Sequence, residues 1–135
     1  MYVILFVAAA TIFSACKMGD ENGDLDGMWQ LTEWRDKATN QIVKSKDDSL
    51  YYSVQQKLIK FQHSGHATQY LCTFTHTPDS LIIDKVTIWP DDEIRPISEL
   101  APYGVPSNGK FHVDVLTGNR MELSADDRII LFRKY

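Results

Sequence analysis

The sequence has few cysteines and no excess of basic residues, and each shortage excludes a class of protein. Its two cysteines, Cys16 and Cys72, lie far apart, so a disulfide framework is not expected. Fourteen Lys and Arg residues against eighteen Asp and Glu residues give a net charge of −4. Without surplus cations to neutralise phosphates, the chain is not expected to bind nucleic acid. The 135 residues are 44% hydrophobic and 24% charged, as in one globular domain rather than a disordered chain.

Motifs of the common enzyme classes are also absent. The sequence contains no phosphate-binding loop, zinc-protease helix, paired Cys-x-x-Cys or nucleophile elbow. His63 and His66 have the only spacing that suggests a metal, but two imidazoles alone make half a zinc site, and an exposed polar turn is the simpler interpretation. The acidic run 91–93 lacks the alternating spacing of a calcium loop. We therefore predict that the protein is not an enzyme and has no cofactor and no metal site.

The longest apolar run is too short for a membrane-spanning helix. Residues 2–15, YVILFVAAATIFSA, carry no charge, whereas a transmembrane helix needs about 20 apolar residues. The small residues Ser14 and Ala15 precede Cys16, and the segment resembles the signal peptide and lipobox of a bacterial lipoprotein, in which the cysteine is lipidated. We predict a signal peptide over 1–15, a lipid on Cys16 and a place in the cell envelope. The outer membrane, on its periplasmic or surface-exposed face, is the expected location, and a buried N-terminal strand is the alternative.

Residues 16–26 are predicted to form a flexible acidic tether. The run KMGDENGDLD (17–26) carries a net charge of −3 and has no periodic apolar pattern. Most of the acidity of the chain therefore belongs to the tether, since residues 27–135 have a net charge of only −1. A flexible segment of this length reaches on the order of 17 Å. The tether would hold a domain formed by residues 27–135 just off a membrane surface.

From Gly27 onward, apolar and polar residues alternate, which is typical of strands with one buried face. Trp29 and Leu31 share one face, and Ile59 and Phe61 share another. Short polar turns such as Gly118-Asn119 separate the runs. Seven to eight strands with short local connections predict an all-β fold, an up-and-down antiparallel barrel of about eight strands. A small sandwich is the alternative.

Residues 90–109 break the alternation, because they contain four of the five prolines and no central strand tolerates that density. The pattern predicts one helical turn over 97–101 that ends before Pro102, and a positive φ at Gly104. The segment carries too many apolar side chains for a loop in water. We therefore predict that it folds over one end of the barrel as a lid.

Four residues are candidates for the lid or for a ligand-binding site: Phe74, Trp89, Leu100 and Tyr103. Trp89 and Tyr103 are the better candidates for a pocket, because they flank the proline-rich segment. Cys72 shares a strand face with Phe74 and is predicted to be a buried structural thiol.

The order of several motifs resembles a known family. Gly27-Met28-Trp29 is similar to the G-x-W signature of lipocalins. Several other segments are similar to those of lipocalin-like lipoproteins of unknown function from Bacteroidetes: WQLTEW, LYYSVQQKLIKF, PYGVP before FHVDVL, and the closing LFRKY. The resemblance covers 27–135 and implies a barrel with Trp29 packed at its closed end. Arg133 is the nearest candidate for the arginine that accompanies this tryptophan in lipocalins, although alternation points Arg133 outward.

The resemblance implies a lipoprotein whose barrel binds a small hydrophobic or amphipathic molecule. A structural or interaction protein with a filled barrel is the alternative, and its protein partner is not identified by the sequence. A lumen of several hundred Å³ favours the first interpretation, and a packed interior favours the second.

Overall fold

The computed structural model describes residues 22–135, so the predicted signal peptide, Cys16 and most of the predicted tether lie outside the described residues. The described chain forms ten antiparallel strands and three short 3₁₀-helices. The strands are β1 (Gly27–Asp36), β2 (Ile42–Ser45), β3 (Leu50–Gln55), β4 (Leu58–His63), β5 (Gln69–Thr77), β6 (Ser80–Trp89), β7 (Glu93–Arg95), β8 (Lys110–Leu116), β9 (Arg120–Ala125) and β10 (Arg128–Lys134). The 3₁₀-helices span Gly23–Leu25, Lys46–Asp48 and Ile97–Tyr103.

Eight of the strands close into a barrel. The hydrogen-bonded order runs from β10 through β9, β8, β6, β5, β4 and β3 to β1, and β1 pairs with β10 to close the circle. The two remaining strands are additions to the wall: among residues 22–135, β2 pairs only with β1, and β7 pairs only with β6. The predicted antiparallel barrel of about eight strands is confirmed, and the sandwich alternative is wrong.

Aromatic side chains fill the middle of the barrel. The ring of Tyr52 lies 4.6 Å from that of Phe61, 4.6 Å from that of Phe132 and 6.3 Å from that of Phe111, measured between centroids. All four side chains are buried. These residues come from four different strands and alternate with outward-facing residues, as the period of two predicts. The centre of the barrel is therefore packed rather than lined around an open lumen.

Trp29 closes the base of the barrel, the end at which β1 begins. Its side chain is fully buried, and its indole Nε1 donates a hydrogen bond of 2.8 Å to the carbonyl oxygen of Leu25 in the first 3₁₀-helix. The Nζ of Lys134 lies 4.6 Å from the centroid of the indole ring. Arg133 is exposed and instead donates to the Oε1 of Gln30 at 2.8 Å. The cation beside the tryptophan is therefore Lys134, because the alternation that turns Arg133 outward turns its neighbour inward.

Residues 90–109 contain more regular structure than the sequence predicts. A three-residue strand, β7, follows a cis peptide bond between Trp89 and Pro90. The apolar side chain of Ile94, in the middle of β7, is 68% exposed. The 3₁₀-helix Ile97–Tyr103 runs past Pro102 instead of ending before it. Proline lacks a backbone N–H donor. Its presence in so short a helix therefore removes only one backbone hydrogen bond. Gly104 ends the helix with φ of 94°, in agreement with the predicted positive φ.

Residues 97–105, here called the plug, pack onto the barrel at the mouth, the end at which β4 and β6 finish. Leu100 is fully buried, and Tyr103 and Val105 are nearly so. The hydroxyl of Tyr52 donates to the carbonyl oxygen of Tyr103 at 2.7 Å, and the Nη1 of Arg128 donates to that of Gly104 at 3.0 Å. Two barrel strands thereby hold the plug by its backbone. Over residues 22–135, no helix has the length and apolar character needed to cross a membrane.

Candidate ligand-binding site at the barrel mouth

A pocket of about 260 Å³ lies between the plug and the rim of the barrel wall. It is open to solvent on one side. Its walls come from the ends of β2, β3, β4 and β5 and from the plug. Its lining includes Leu50, His63, His66, Tyr70, Glu99 and Tyr103.

The strand register explains why two histidines reach this pocket. Along β4, Ile59 and Phe61 face the interior, and His63 continues the same face to the rim, where it is paired with the buried Leu50. His66 lies in the following turn, and its ring stacks on that of His63 with a centroid separation of 4.0 Å. The predicted exposed polar turn is therefore present, but it presents its imidazoles to a pocket.

Glu99 links the plug to the wall. Its Oε1 accepts a hydrogen bond of 2.9 Å from the hydroxyl of Tyr70 in β5, and its Oε2 accepts one of 2.6 Å from the Nε of Arg95 in β7. The hydrogen bond from Arg95 is the main reason that the pKa of Glu99 lies below its ordinary value. Burial, with the hydrogen bond to Glu99 second, raises the pKa of Tyr70 to about 12. The carboxylate is thus ionised, and each of its oxygens already has a donor.

The structure distributes the four sequence-predicted candidates over different parts of the barrel. Tyr103 lines the mouth pocket. Leu100 is fully buried and packs into the core beneath the plug. Phe74 is half-buried against the core and is paired with Ile83, away from the mouth. Trp89 is 51% exposed, outside the residues that line the pocket.

Lys44 and Glu99 also line the pocket, although the sequence does not identify them. Lys44 in β2 is paired with Trp34 in β1, and no sequence motif predicts this pairing. Glu99 reaches the pocket only because the plug turns back onto the rim. His63, in contrast, can be found from the sequence, because it extends the alternation of Ile59 and Phe61 by one step.

The remaining titratable candidates do not form a reactive site. Within residues 22–135, no group of three or more His, Cys, Asp or Glu side chains could hold a metal ion. Cys72 is buried, as predicted, and burial raises the pKa of its thiol to about 12. It is therefore a protonated core thiol rather than a nucleophile.

A larger depression of about 580 Å³ lies on the outer wall, beside β8, β9 and the loop before β8. Some of its charged groups are already paired, Arg128 with Asp127 at 2.8 Å and the Nδ1 of His112 with the Oδ1 of Asp114 at 2.7 Å, whereas Lys37, Lys110 and Asp126 add further charge to its lining. Its lining is mainly polar and charged, with Phe111 as a buried aromatic ring, whereas Tyr70 and Tyr103 both wall the mouth pocket. The smaller pocket is therefore the better candidate for binding an amphipathic molecule, since such sites combine an apolar wall with a few polar groups.

A closed eight-stranded antiparallel barrel, with a buried tryptophan near the start of its first strand, is the architecture of the lipocalin class. The chain belongs to the lipocalin-like domain family, whose model matches residues 11–135. The identification rests on this match, and it confirms the resemblance found in the sequence.

Solved structures share the fold at low sequence identity. A lipocalin-like protein from Bacteroides uniformis is 21% identical, with a TM-score of 0.61, covering 84% of this chain and all of its own. An uncharacterized protein from Bacteroides eggerthii is 22% identical, with a TM-score of 0.55 and coverage of 82% and 98%. A protein from Burkholderia xenovorans is 16% identical, with a TM-score of 0.55 and coverage of 82% of each chain. No curated protein matches the sequence.

Proposed function

We propose that this chain is a lipid-anchored protein of the cell envelope that binds a small amphipathic molecule at the mouth pocket. The observation that carries the proposal is the 260 Å³ pocket between the plug and the rim, which is lined by both apolar and polar side chains. The pocket is slightly smaller than typical sites for drug-sized ligands, which occupy about 300–1,000 Å³. The ligand is therefore expected to be the size of a single substituted ring or a short chain.

The packed interior favours the mouth over the lumen as the binding place. Tyr52, Phe61 and Phe132 meet at the centre of the barrel, and Leu100 of the plug is buried with them. A ligand inside the barrel would have to displace side chains at interior packing density, at a cost of kilocalories per residue. A ligand at the mouth displaces only water.

The wall of the pocket suits a ligand with two different ends. Leu50, Pro102 and the ring of Tyr103 offer apolar surface, whereas Lys44 and the two imidazoles offer polar groups. Small-molecule sites commonly combine such surfaces, with the apolar part supplying affinity and the polar part fixing orientation. An amphipathic molecule would satisfy both sides at once.

The anchoring part of the proposal is supported by the sequence alone. Cys16 follows small residues at the end of an uncharged apolar run and precedes an acidic segment. A lipidated cysteine at this position would attach the barrel to a membrane through the residues between Cys16 and the 3₁₀-helix Gly23–Leu25, which is itself bonded to the base of the barrel. The outer membrane is the proposed location.

The ligand can be sought by mass spectrometry of small molecules that co-purify with the full-length chain. Thr68 is an exposed residue on the pocket rim, so Thr68→Trp should fill the pocket without disturbing the core. Gln55→Trp adds the same ring at an exposed position near the base and serves as the control. A molecule retained by the wild type and by Gln55→Trp, but lost from Thr68→Trp, supports the proposal. Equal retention by both variants contradicts it.

A second function, contact with another protein, is favoured by a different observation. Trp89 and Ile94 lie on the neighbouring strands β6 and β7 and are 51% and 68% exposed. Exposed aromatic and aliphatic side chains beside each other are typical of contact surfaces. If this is the main function, Trp89→Ser should abolish a cross-linked complex in cells, whereas Thr68→Trp should leave it intact.

A further inference from the structure

Resting on the proposed function, we infer that the mouth pocket selects amphipathic acids, molecules with an apolar body and one anionic head such as a carboxylate. The polar groups around the pocket divide into those that are already paired within the protein and those that are not. A bound ligand must match the groups that remain available, because a buried polar group without a partner costs about 1–3 kcal/mol.

Both carboxylates at the pocket already accept hydrogen bonds from the protein itself. Glu99 accepts from Tyr70 through one oxygen and from Arg95 through the other. Asp48 accepts from the backbone N–H of Ser45 at 2.7 Å, where it completes the cap of a 3₁₀-helix. Arg95 also offsets the charge of Glu99 through a direct ion pair. Glu99 is therefore not well placed to receive an amine from a ligand, whereas Asp48 keeps one oxygen, Oδ1, without a donor among residues 22–135.

Most of the unpaired polar groups at the pocket can donate hydrogen bonds. Among residues 22–135, the side chains of Lys44, His63 and His66 make no hydrogen bond and no ion pair with one another or with any other described residue. Lys44 brings a full positive charge, and it stands on the same face of the sheet as Trp34. The stacked imidazoles of His63 and His66 add ring N–H groups at the same opening. An ammonium and two imidazoles around one opening match the lone pairs of an anionic head.

The apolar body of the ligand would lie against the remaining wall. Leu50 and Tyr103 are nearly fully buried and present their surfaces at the inner side of the pocket. Pro102 forms the neighbouring part of the wall and contributes no N–H donor. A molecule that points its head outward to Lys44 and its body inward to Tyr103 would use both surfaces.

The test compares three probes that differ only in the head group: 3-phenylpropionate, 3-phenylpropanol and 3-phenylpropylamine. Each is titrated by ligand-observed NMR against the full-length chain in lipid nanodiscs, with empty nanodiscs subtracted. We expect the acid to bind at least threefold more tightly than the alcohol, and the amine to bind most weakly. Each partly exposed charge contact of this kind changes affinity about two- to fivefold.

Variants identify the groups responsible. Lys44→Met and His66→Gln should each weaken binding of the acid by about two- to fivefold and leave the alcohol unchanged. Lys60→Met removes a lysine from the outward face of β4 and is the matched control, with no expected effect. If the alcohol and amine bind as well as the acid, or if Lys44→Met and Lys60→Met behave alike, the selection for acids is wrong while the pocket remains a binding site. If none of the three probes binds, the proposed function itself fails.

Discussion

Gly104 is the position at which the link between plug and barrel can be tested most sharply by substitution. Its φ is +94°, a conformation that L residues rarely adopt. A Cβ added there would lie 2.7 Å from the Cδ1 of the fully buried Ile130, well inside normal contact distance. Gly104→Ala therefore combines a backbone cost of about 1–2 kcal/mol with an overpacking cost of about 1–3 kcal/mol. The expected loss in the free energy of unfolding is about 2–5 kcal/mol.

Two companion substitutions separate these costs. Gly23 has φ of +59°, and no atom of the described residues lies within 4 Å of the place that a Cβ would take, so Gly23→Ala should lose only the backbone part, about 1 kcal/mol. Ile130→Val removes the methyl group that the new Cβ at Gly104 would strike. By itself it should cost about 0.5–1.5 kcal/mol. In the double variant Gly104→Ala/Ile130→Val the overpacking cost should disappear. The losses in the free energy of unfolding of the two single variants should therefore sum to more than the loss of the double variant.

The assay is chemical denaturation of the four variants, followed by tryptophan fluorescence. The midpoint should fall furthest for Gly104→Ala, and the double-mutant cycle should give a favourable coupling of about 1 kcal/mol or more. A Gly104→Ala variant no less stable than Gly23→Ala, or strictly additive losses in the cycle, would refute the close contact between plug and barrel.

Three further predictions concern the base, a partly buried histidine and the anchor. Trp29→Ala should lower the free energy of unfolding by about 3–5 kcal/mol, because it leaves a buried cavity and removes the hydrogen-bond donor to the carbonyl oxygen of Leu25. A near-normal denaturation midpoint would argue against the sealed base. Burial lowers the pKa of His76, whose Nε2 lacks a hydrogen-bond partner within the described chain. The unfolded state therefore binds more protons in weak acid, and stability should fall as the pH decreases below about 6.5. Denaturation at several pH values should show a flatter profile for His76→Phe, and identical profiles would count against this effect. Cys16→Ala should abolish acylation and processing, and mass spectrometry that finds acyl chains on this variant would exclude Cys16 as the anchor.

The barrel can be predicted from the sequence because the pattern that specifies each strand lies within that strand. Alternation along each strand sets which side chains face inward, and in β10 it turns Arg133 outward. The same period of two predicts that Lys134 faces inward, because Lys134 continues the inward face of Ile130 and Phe132. The cation beside Trp29 is thus encoded in the strand pattern, one residue away from the position that the lipocalin resemblance indicates.

The two strands outside the barrel cannot be predicted in the same way. β2 is four residues long and both Ile42 and Val43 are exposed, so it has no buried face to create alternation. β7 is three residues long and lies between prolines. Each exists because a long barrel strand, β1 or β6, extends beyond its partner in the wall and leaves backbone groups to be paired.

The mouth pocket depends on contacts between distant parts of the chain. Tyr103 can be recognised because it flanks a proline-rich segment, but the approach of Lys44 and Glu99 depends on how β2 and the plug return to the rim. Trp89 flanks the same segment, yet it stands at the end of β6 with its side chain half exposed and away from the pocket. Proximity in sequence to a lid thus does not determine which side of the wall a residue occupies.

Chemical-shift mapping of the full-length chain during titration with 3-phenylpropionate tests the central claim most directly. If the ligand binds at the mouth of a filled barrel, the perturbed signals will come from Leu50, His63, Tyr70 and Tyr103, and those of the interior residues Met121 and Leu123 will stay in place. Saturable shifts centred on Met121 and Leu123 would show a ligand inside the barrel, and the absence of any saturable shift would remove the binding site; either result contradicts the account.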